Sequence, residues 1–574
     1  MMRPSRSSAV LILAFVLLPM STRAASTPAP LGTGGAVSSG DPRATKVGIE
    51  ILRTGGNAVD AAVATALALA VVYPEAGNLG GGGFALVKRG DKLSALDFRE
   101  VAPAAARRDM YLDAEGEPVD GASQVGSLAA GVPGSPAGLY ELHRKHGRLP
   151  WKKVVEPARK LAADGFRVDR HLNELLGRET YRNRLARFPE TARVWLPGGK
   201  PPEAGSVIRL PELAATLAAY AERGPAAITG GPVAAAIEAA SRRHGGVLTA
   251  ADLAAYQPAW REPVVVEAFG WRIASMPLPS SGGLLLGETL GMLERLDWAK
   301  MPRFGADRAH FLTETFRRVY ADRFLLGDPS TTRAGAAQLL DPVWLEQRAS
   351  GITPRRATPS TEVKPWPGND AVPAGAEPGS ETTHLSVVDG DGNAVALTTT
   401  LNDLFGCAVF VPEIGFLNNE MDDFTTVPGR PNIFGLIQGE ANIVAPGKRM
   451  LSSMTPTIAW KGEELIALGG RGGSRIPTNA IQVLLNLIAD EDTLQTALDR
   501  PRLHHQWLPD RLEVEADTFS PETRAELERR GHEIHVKPND VAKIHAIRVR
   551  ADGLMEAASD PRSTGLGAVV KVEP

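Results

Sequence analysis

The sequence predicts an α+β protein built of more than one structural portion. Two observations carry the class: long helical patterns rich in alanine, and pairs of alternating apolar runs set around two-residue turn signals. Length carries the second part, because 574 residues exceed the ~250–300 at which a single core stops growing. With 43% hydrophobic and 22% charged residues the composition is that of a globular chain, and a formal charge of −3 offers no footprint for nucleic acid.

The elements follow in chain order. Arg3 and Arg6 precede the apolar run Ala9 to Leu18, and Pro19 and the small-residue exit STRAAS come next, the layout of a secretory signal over residues 1–24. That run is short for a membrane span and no later window offers one, so a soluble, exported mature chain is expected, in the periplasm or the medium. A single cysteine, Cys407, leaves no internal disulfide, and stability must come from packing. The segment PRATKVGIEILRTGGNAVDAAVATALALAVVYP predicts two helices broken at Gly55 and Gly56, the second capped by Asn57 and internal. FALVKRGDKLSALDFRE predicts a hairpin around Gly90 and Asp91 that delivers Arg99 to a strand end. From about Leu139 to Leu345 the pattern is mostly helical, with PELAATLAAYAERG and RAHFLTETFRRVYADRFL the clearest amphipathic segments. Residues 353–381 carry five prolines in their first twenty-one positions and read as exposed linker. THLSVVDG and NAVALTTTL then predict a second hairpin around Asp391 and Gly392.

Thr382 therefore stands where a connector meets a strand. A threonine hydroxyl inside a chain is a poor nucleophile, and it gains a base if the chain is cut just before it, because the freed α-amino group has a pKa of roughly 7.7–8.0. Taken alone, two threonines at a strand start are equally well explained by β-propensity and by satisfaction of end groups.

The longer stretch TTHLSVVDGDGNAVALTTTLNDLFG resembles the γ-glutamyltransferases (γ-glutamyl transpeptidases), members of the N-terminal nucleophile hydrolases. The resemblance extends in order through GGNAVDAAVA, GNLGGGGF, LDFREVAP, GVPGSPAG, LPSSGG, NNEMDDF, LSSMTPTI, GGRGGSRI, HHQWLPD and ASDPRS. It implies a four-layer αββα sandwich, made as a precursor that cuts itself between Glu381 and Thr382. The products would be a large subunit, residues 25–381, and a small one, 382–574, kept together as a heterodimer. The implied activity is cleavage of γ-glutamyl amides such as glutathione through an ester on Thr382, with transfer to water, amino acids or peptides.

The same resemblance implies the roles of single residues. Thr382 is the nucleophile and Thr400 its hydrogen-bond partner; the amides of Gly472 and Gly473 form the oxyanion hole. Arg99, Ser452 and Ser453 hold the α-carboxylate of the donor, and Asn402, Glu420 and Asp423 its α-amino group. A planar guanidinium and paired carboxylates suit those tasks. No metal and no organic cofactor are expected, since NNEMDDF lacks the spaced oxygens and the glycine of a calcium loop. GNLGGGGF lacks the Gly-Lys-Ser/Thr ending of a phosphate loop and reads as close packing or a tight turn. Adjacent His504 and His505 read as structural, not as a zinc pair. The segment Pro428 to Gln438 corresponds to a lid over the donor pocket that carries tyrosine in some relatives and Phe434 here. Two rivals stand beside this reading: an acylase for cephalosporin or glutaryl side chains, and an exported binding protein that is never cut.

Overall fold

The computed structural model describes residues 27–367, 382–537 and 541–571. The proposed signal (1–24), the end of the linker and Glu381 lie outside the described residues.

The hairpin signals nucleate two antiparallel sheets of seven strands. The first runs in the order Leu566–Val569, Gly35–Ser39, Thr383–Asp389, Ala394–Thr400, Gly82–Arg89, Lys92–Phe98, Ala259–Arg261. The second runs Leu31–Gly32, Met555–Ser559, Lys543–Val549, Glu464–Arg471, Thr457–Lys461, Trp271–Ser275, Val264–Ala268. Both expected hairpins are present, with Gly90 (φ 54°) and Gly392 (φ 78°) supplying the left-handed backbone their turns need.

Successive side chains of a strand face opposite ways, and this divides the core in two. Leu385, Val387, Val395 and Leu397 pack with the helices Pro42–Arg53 and Ala58–Val72. Val388, Ala394 and Ala396 instead meet Ile458, Leu465, Ala467 and Ile547 of the second sheet. The outer face of that sheet is covered by Gly282–Arg295, Ala306–Arg323 and Ile476–Ile488. The result is four layers, αββα. As read from the sequence, Asn57 caps Ala58–Val72 by accepting from the amides of Val59 and Asp60, and all fifteen residues of that helix are buried.

The four-glycine run is a close-packing device. A Cβ at Gly80, Gly81 or Gly83 would come within 2.1–2.3 Å of the carbonyl oxygens of Phe416, Thr400 and Thr398 respectively, so only glycine lets the strands approach.

Three expectations are corrected. The mostly helical stretch also contains Ala259–Arg261, Val264–Ala268 and Trp271–Ser275, short strands hidden among strong helix formers but needed to complete both sheets. The helix Ala306–Arg323 is buried on nearly every side instead of presenting a solvent face. The cover comes partly from residues 353–367, read as exposed linker, where Ala357, Ser360 and Val363 are buried. Ser360 donates to the Trp507 carbonyl (2.6 Å), and Thr358 donates through its hydroxyl to Glu314 (2.6 Å). Proline density there reflects irregular backbone that is nonetheless packed.

Among the buried charges, Asp560 and Arg502 are fully enclosed and 2.7 Å apart, and Asp560 also accepts from the amides of Ile544 and Arg562. Burial would raise the pKa of Asp560, but Arg502 and Arg562 outweigh it and hold the carboxyl below its usual range. Asp560→Ala removes the carboxylate paired with the fully buried Arg502, while Arg562 keeps Glu515, and should lower unfolding free energy by about 3–5 kcal/mol, read by urea denaturation. A loss below about 1 kcal/mol would remove this pair from the fold's main supports.

Candidate active site

Thr382 directly precedes a central strand of the first sheet and shares its parity with His384 and Ser386. That face looks toward the second sheet, where a Cβ on Gly469 would lie 2.4 Å from the His384 ring. The strand Glu464–Arg471 leads into Gly472 and Gly473, and Gly473 shares a cleft with the threonine. In the hairpin Thr383 pairs with Thr399, which sets Thr382 opposite Thr400, with hydroxyl oxygens 3.3 Å apart. Thr400 Oγ1 accepts the Asn402 amide proton (2.8 Å), so its own proton is available to Thr382. Asn402 takes a left-handed conformation (φ 77°), tolerated by asparagine, and its Nδ2 donates to the Asn419 carbonyl.

A cleft of about 270 Å³, its open mouth included, is lined by Thr382, Thr400, Asn402, Arg99, Glu420, Asp423, Ser452, Ser453 and Gly473, with Phe434 and Leu436 from the lid segment. Nine of the ten residues singled out in the sequence thus meet in one place. Gly472, the tenth, immediately precedes Gly473 at the start of a helical run. There amides lack intrahelical partners, and φ values of 145° and 54° require glycine at both positions.

Arg99 is 1% exposed and lies at the end of Lys92–Phe98, as the hairpin reading expects. Its guanidinium bonds Glu420 through Nη1 and Asp423 through Nη2, and Nε donates to the Met450 carbonyl. Glu420–Asp423 is a 3₁₀ turn, in which residues three apart eclipse, so these two carboxylates reach one arginine. Asp422 turns away to Ser123 (2.6 Å) and the Ile433 amide (2.9 Å), and burial lifts its pKa to about 6. Burial likewise raises Glu420 and Asp423, with Arg99 opposing.

Several groups of the site escaped the sequence reading. Glu100 is fully buried, its carboxylate 3.9 Å from Arg99, and among the described residues neither of its oxygens has a hydrogen-bond partner. Burial pushes it up to about 7, with Arg99 opposing. Ser280 and Ser281 of LPSSGG brace the LSSM loop: Ser280 Oγ donates to the Met454 carbonyl (2.6 Å) and Ser281 Oγ to the Ser452 carbonyl (2.8 Å). Tyr320 donates to the Ser474 carbonyl and fixes the glycine turn. For Glu100, Ser280 and Ser281 the available signal was position inside a recognised motif; Tyr320 lay only in a helical segment. Phe434 of the lid segment is 4% exposed, and Asn432 donates to Asp423 (3.0 Å). His504 and His505 are buried in hydrogen bonds to Thr478, Gln506 and Asp510.

Four αββα layers with a threonine at the head of a central strand define the class of N-terminal nucleophile hydrolases. Within that class the chain belongs to the γ-glutamyltranspeptidase family, whose sequence model matches residues 44–570. It is 42% identical over 534 residues to a glutathione hydrolase proenzyme of Escherichia coli, covering 92% of this chain and 90% of that one. A glutathione hydrolase proenzyme of Pseudomonas aeruginosa is also 42% identical, over 547 residues, 94% of this chain and 95% of the relative. Among solved structures, a cephalosporin acylase from Bacillus halodurans superposes with a TM-score of 0.84 at 28% identity, covering 97% of this chain and all of the other.

Glu100 sets a pH test. With its pKa raised, it holds a proton below about 7 and adds a negative charge beside Arg99 above it. On the expectation that Arg99 holds the donor α-carboxylate, an additional anion would compete with it for that guanidinium. Donor KM should therefore rise several-fold as pH climbs through neutrality, and Glu100→Gln should flatten the rise. An unchanged KM profile in that variant would assign the pH dependence to other groups.

Proposed function

We propose that the chain is an exported precursor that cuts itself between Glu381 and Thr382 and then cleaves and transfers γ-glutamyl groups. The observation that carries this is a strand-start threonine, hydrogen-bonded to Thr400, in one cleft with a guanidinium and two carboxylates. Arg99, Glu420 and Asp423 form a receptor for the two ends of an α-amino acid. An ammonium and an α-carboxylate present the same charges in the opposite pairing, so the donor exchanges buried ion pairs without burying net charge.

In the cut, Thr382 Oγ attacks the Glu381 carbonyl carbon, the peptide shifts to an ester, and water opens it. The new α-amino group of Thr382 then takes the hydroxyl proton as Oγ attacks the γ-carbonyl of a donor such as glutathione. Thr400 donates to the attacking oxygen, and the amides of Gly472 and Gly473 receive the oxyanion. The leaving amine departs with the proton, giving a γ-glutamyl ester on Thr382. Water releases glutamate; the amine of an amino acid or small peptide gives a new γ-glutamyl product. Residues 25–381 and 382–574 would remain together as a heterodimer.

An acylase for glutaryl side chains is the second reading, favoured by the likeness to the cephalosporin acylase. A glutaryl group has no ammonium to place on Glu420 and Asp423, and the buried pair speaks for the γ-glutamyl donor.

Intact mass and N-terminal sequencing test the cut: two chains are expected, one beginning Thr-Thr-His-Leu-Ser, whereas one lasting chain would leave a binding protein. Thr382→Ala should remain uncut and inactive, and efficient processing of that variant would move the nucleophile elsewhere. Arg99→Lys should mature but raise donor KM by about tenfold or more, since lysine cannot form the fork; unchanged KM would take Arg99 out of the site.

A further inference from the structure

Arg323 ends the helix Ala306–Arg323 and is 2% exposed. Its donors go to neutral acceptors: Nε to Ser281 Oγ (3.1 Å), Nη1 to Gln438 Oε1 (3.2 Å) and Nη2 to Ser453 Oγ (3.1 Å). Among the described residues no carboxylate oxygen stands within 4.0 Å of it. After burial, Tyr320, a neutral phenol at neutral pH, and then the carboxylate of Asp423 act on its charge, and Asp423 is already bonded to Arg99 and Asn432. Burial lowers its pKa to about 10, which leaves it charged at neutral pH.

A buried cation without a contacting anion is destabilising, and the carbonyl end of its own helix offsets only part of that. Such a group is kept where its field is used. Arginine accepts no hydrogen bond and a serine hydroxyl has one proton. Nη2 therefore occupies a lone pair of Ser453 and leaves the Ser453 proton for another acceptor. Ser453 lines the cleft; Arg323 does not.

We propose that Arg323 is a positioning residue for the donor α-carboxylate, an unmatched buried cation that acts through Ser453 by directing its hydroxyl into the cleft and completing the anion site begun by Arg99. The inference rests on the reading of Arg99, Ser452 and Ser453 as the carboxylate's partners. It also explains why one helix carries both Tyr320, bonded to the oxyanion turn, and Arg323, bonded to the carboxylate serine: a single rigid element sets the spacing between the reacting carbonyl and the recognised end of the donor.

The test uses the matured enzyme and γ-glutamyl-p-nitroanilide. Arg323→Met should raise KM by about tenfold, the loss expected for one charge-assisted contact, with kcat within about threefold of wild type. The inhibition constant of 4-aminobutanoyl-p-nitroanilide, which keeps the ammonium but lacks the carboxylate, should not rise. Adding Ser453→Ala to Arg323→Met should raise KM by much less than Ser453→Ala does alone, because the two act as one unit. An equal weakening of both ligands, or full additivity with Ser453→Ala, would overturn the proposal and leave Arg323 a structural residue. If Arg323→Met does not mature, Arg323→Lys keeps the cation and should raise KM by less than about threefold. A lysine variant that matures yet raises KM as far as Ser453→Ala does would also overturn it. If Ser453→Ala and Arg99→Lys themselves leave KM unchanged, the assignment of the carboxylate site has failed; if both raise KM and Arg323→Met does not, the inference alone has failed.

Discussion

Burying the guanidinium of Arg99 is costly unless carboxylates come with it, and burying those carboxylates is costly without the guanidinium. Satisfying that one requirement joins parts of the chain more than 300 positions apart: the strand end at Phe98, the 3₁₀ turn Glu420–Asp423 and the loop at Met450. The cleft is what remains where those parts meet. Its groups are ion-paired with one another, and each is also what an amino acid zwitterion needs.

The same interleaving governs what a cut before Thr382 would do. In the first sheet, Thr383–Asp389 and Ala394–Thr400 lie between Gly35–Ser39 and Gly82–Arg89, so strands from both sides of the cut alternate in one hydrogen-bonded ladder. In the second sheet Thr457–Lys461 pairs with Trp271–Ser275. Breaking one peptide bond removes none of these ladder bonds. The products of such a cut would stay locked by packing while the threonine gained an amine, which is how a chain can change its chemistry without changing its fold.

Charge in the interior is handled by geometry more than by number. Ala306–Arg323 carries Arg308, Glu314, Arg317, Arg318, Asp322 and Arg323, all buried. Five of them find an ion-pair partner nearby: Asp490 for Arg308, Glu314 for Arg317 and Arg318, and Arg348 for Asp322. Arg323 is the exception, and it is the one that faces the cleft's serines. On periodicity alone the helix looks like a solvated amphipathic element, because the residues that cover it, 353–367 and Trp507, lie elsewhere in the chain.

Much of this was legible in the sequence because it is local. Turn dipeptides fixed both hairpins, Asn57 fixed a helix start, and alternation in THLSVVDG placed Thr382 at a strand head. The motif resemblance then named the ten residues, nine of which line one cleft. Tertiary structure decided the rest: that Asp422 turns away while Glu420 and Asp423 converge, that the proline-rich stretch up to 367 is packed, that short strands between helices complete the sheets, and that Glu100 and Arg323 are buried behind the cleft residues Arg99 and Ser453. A residue's partners across hundreds of positions are set by how layers stack. The free energy of a buried charge depends on those partners, and periodicity and turn chemistry carry no record of them.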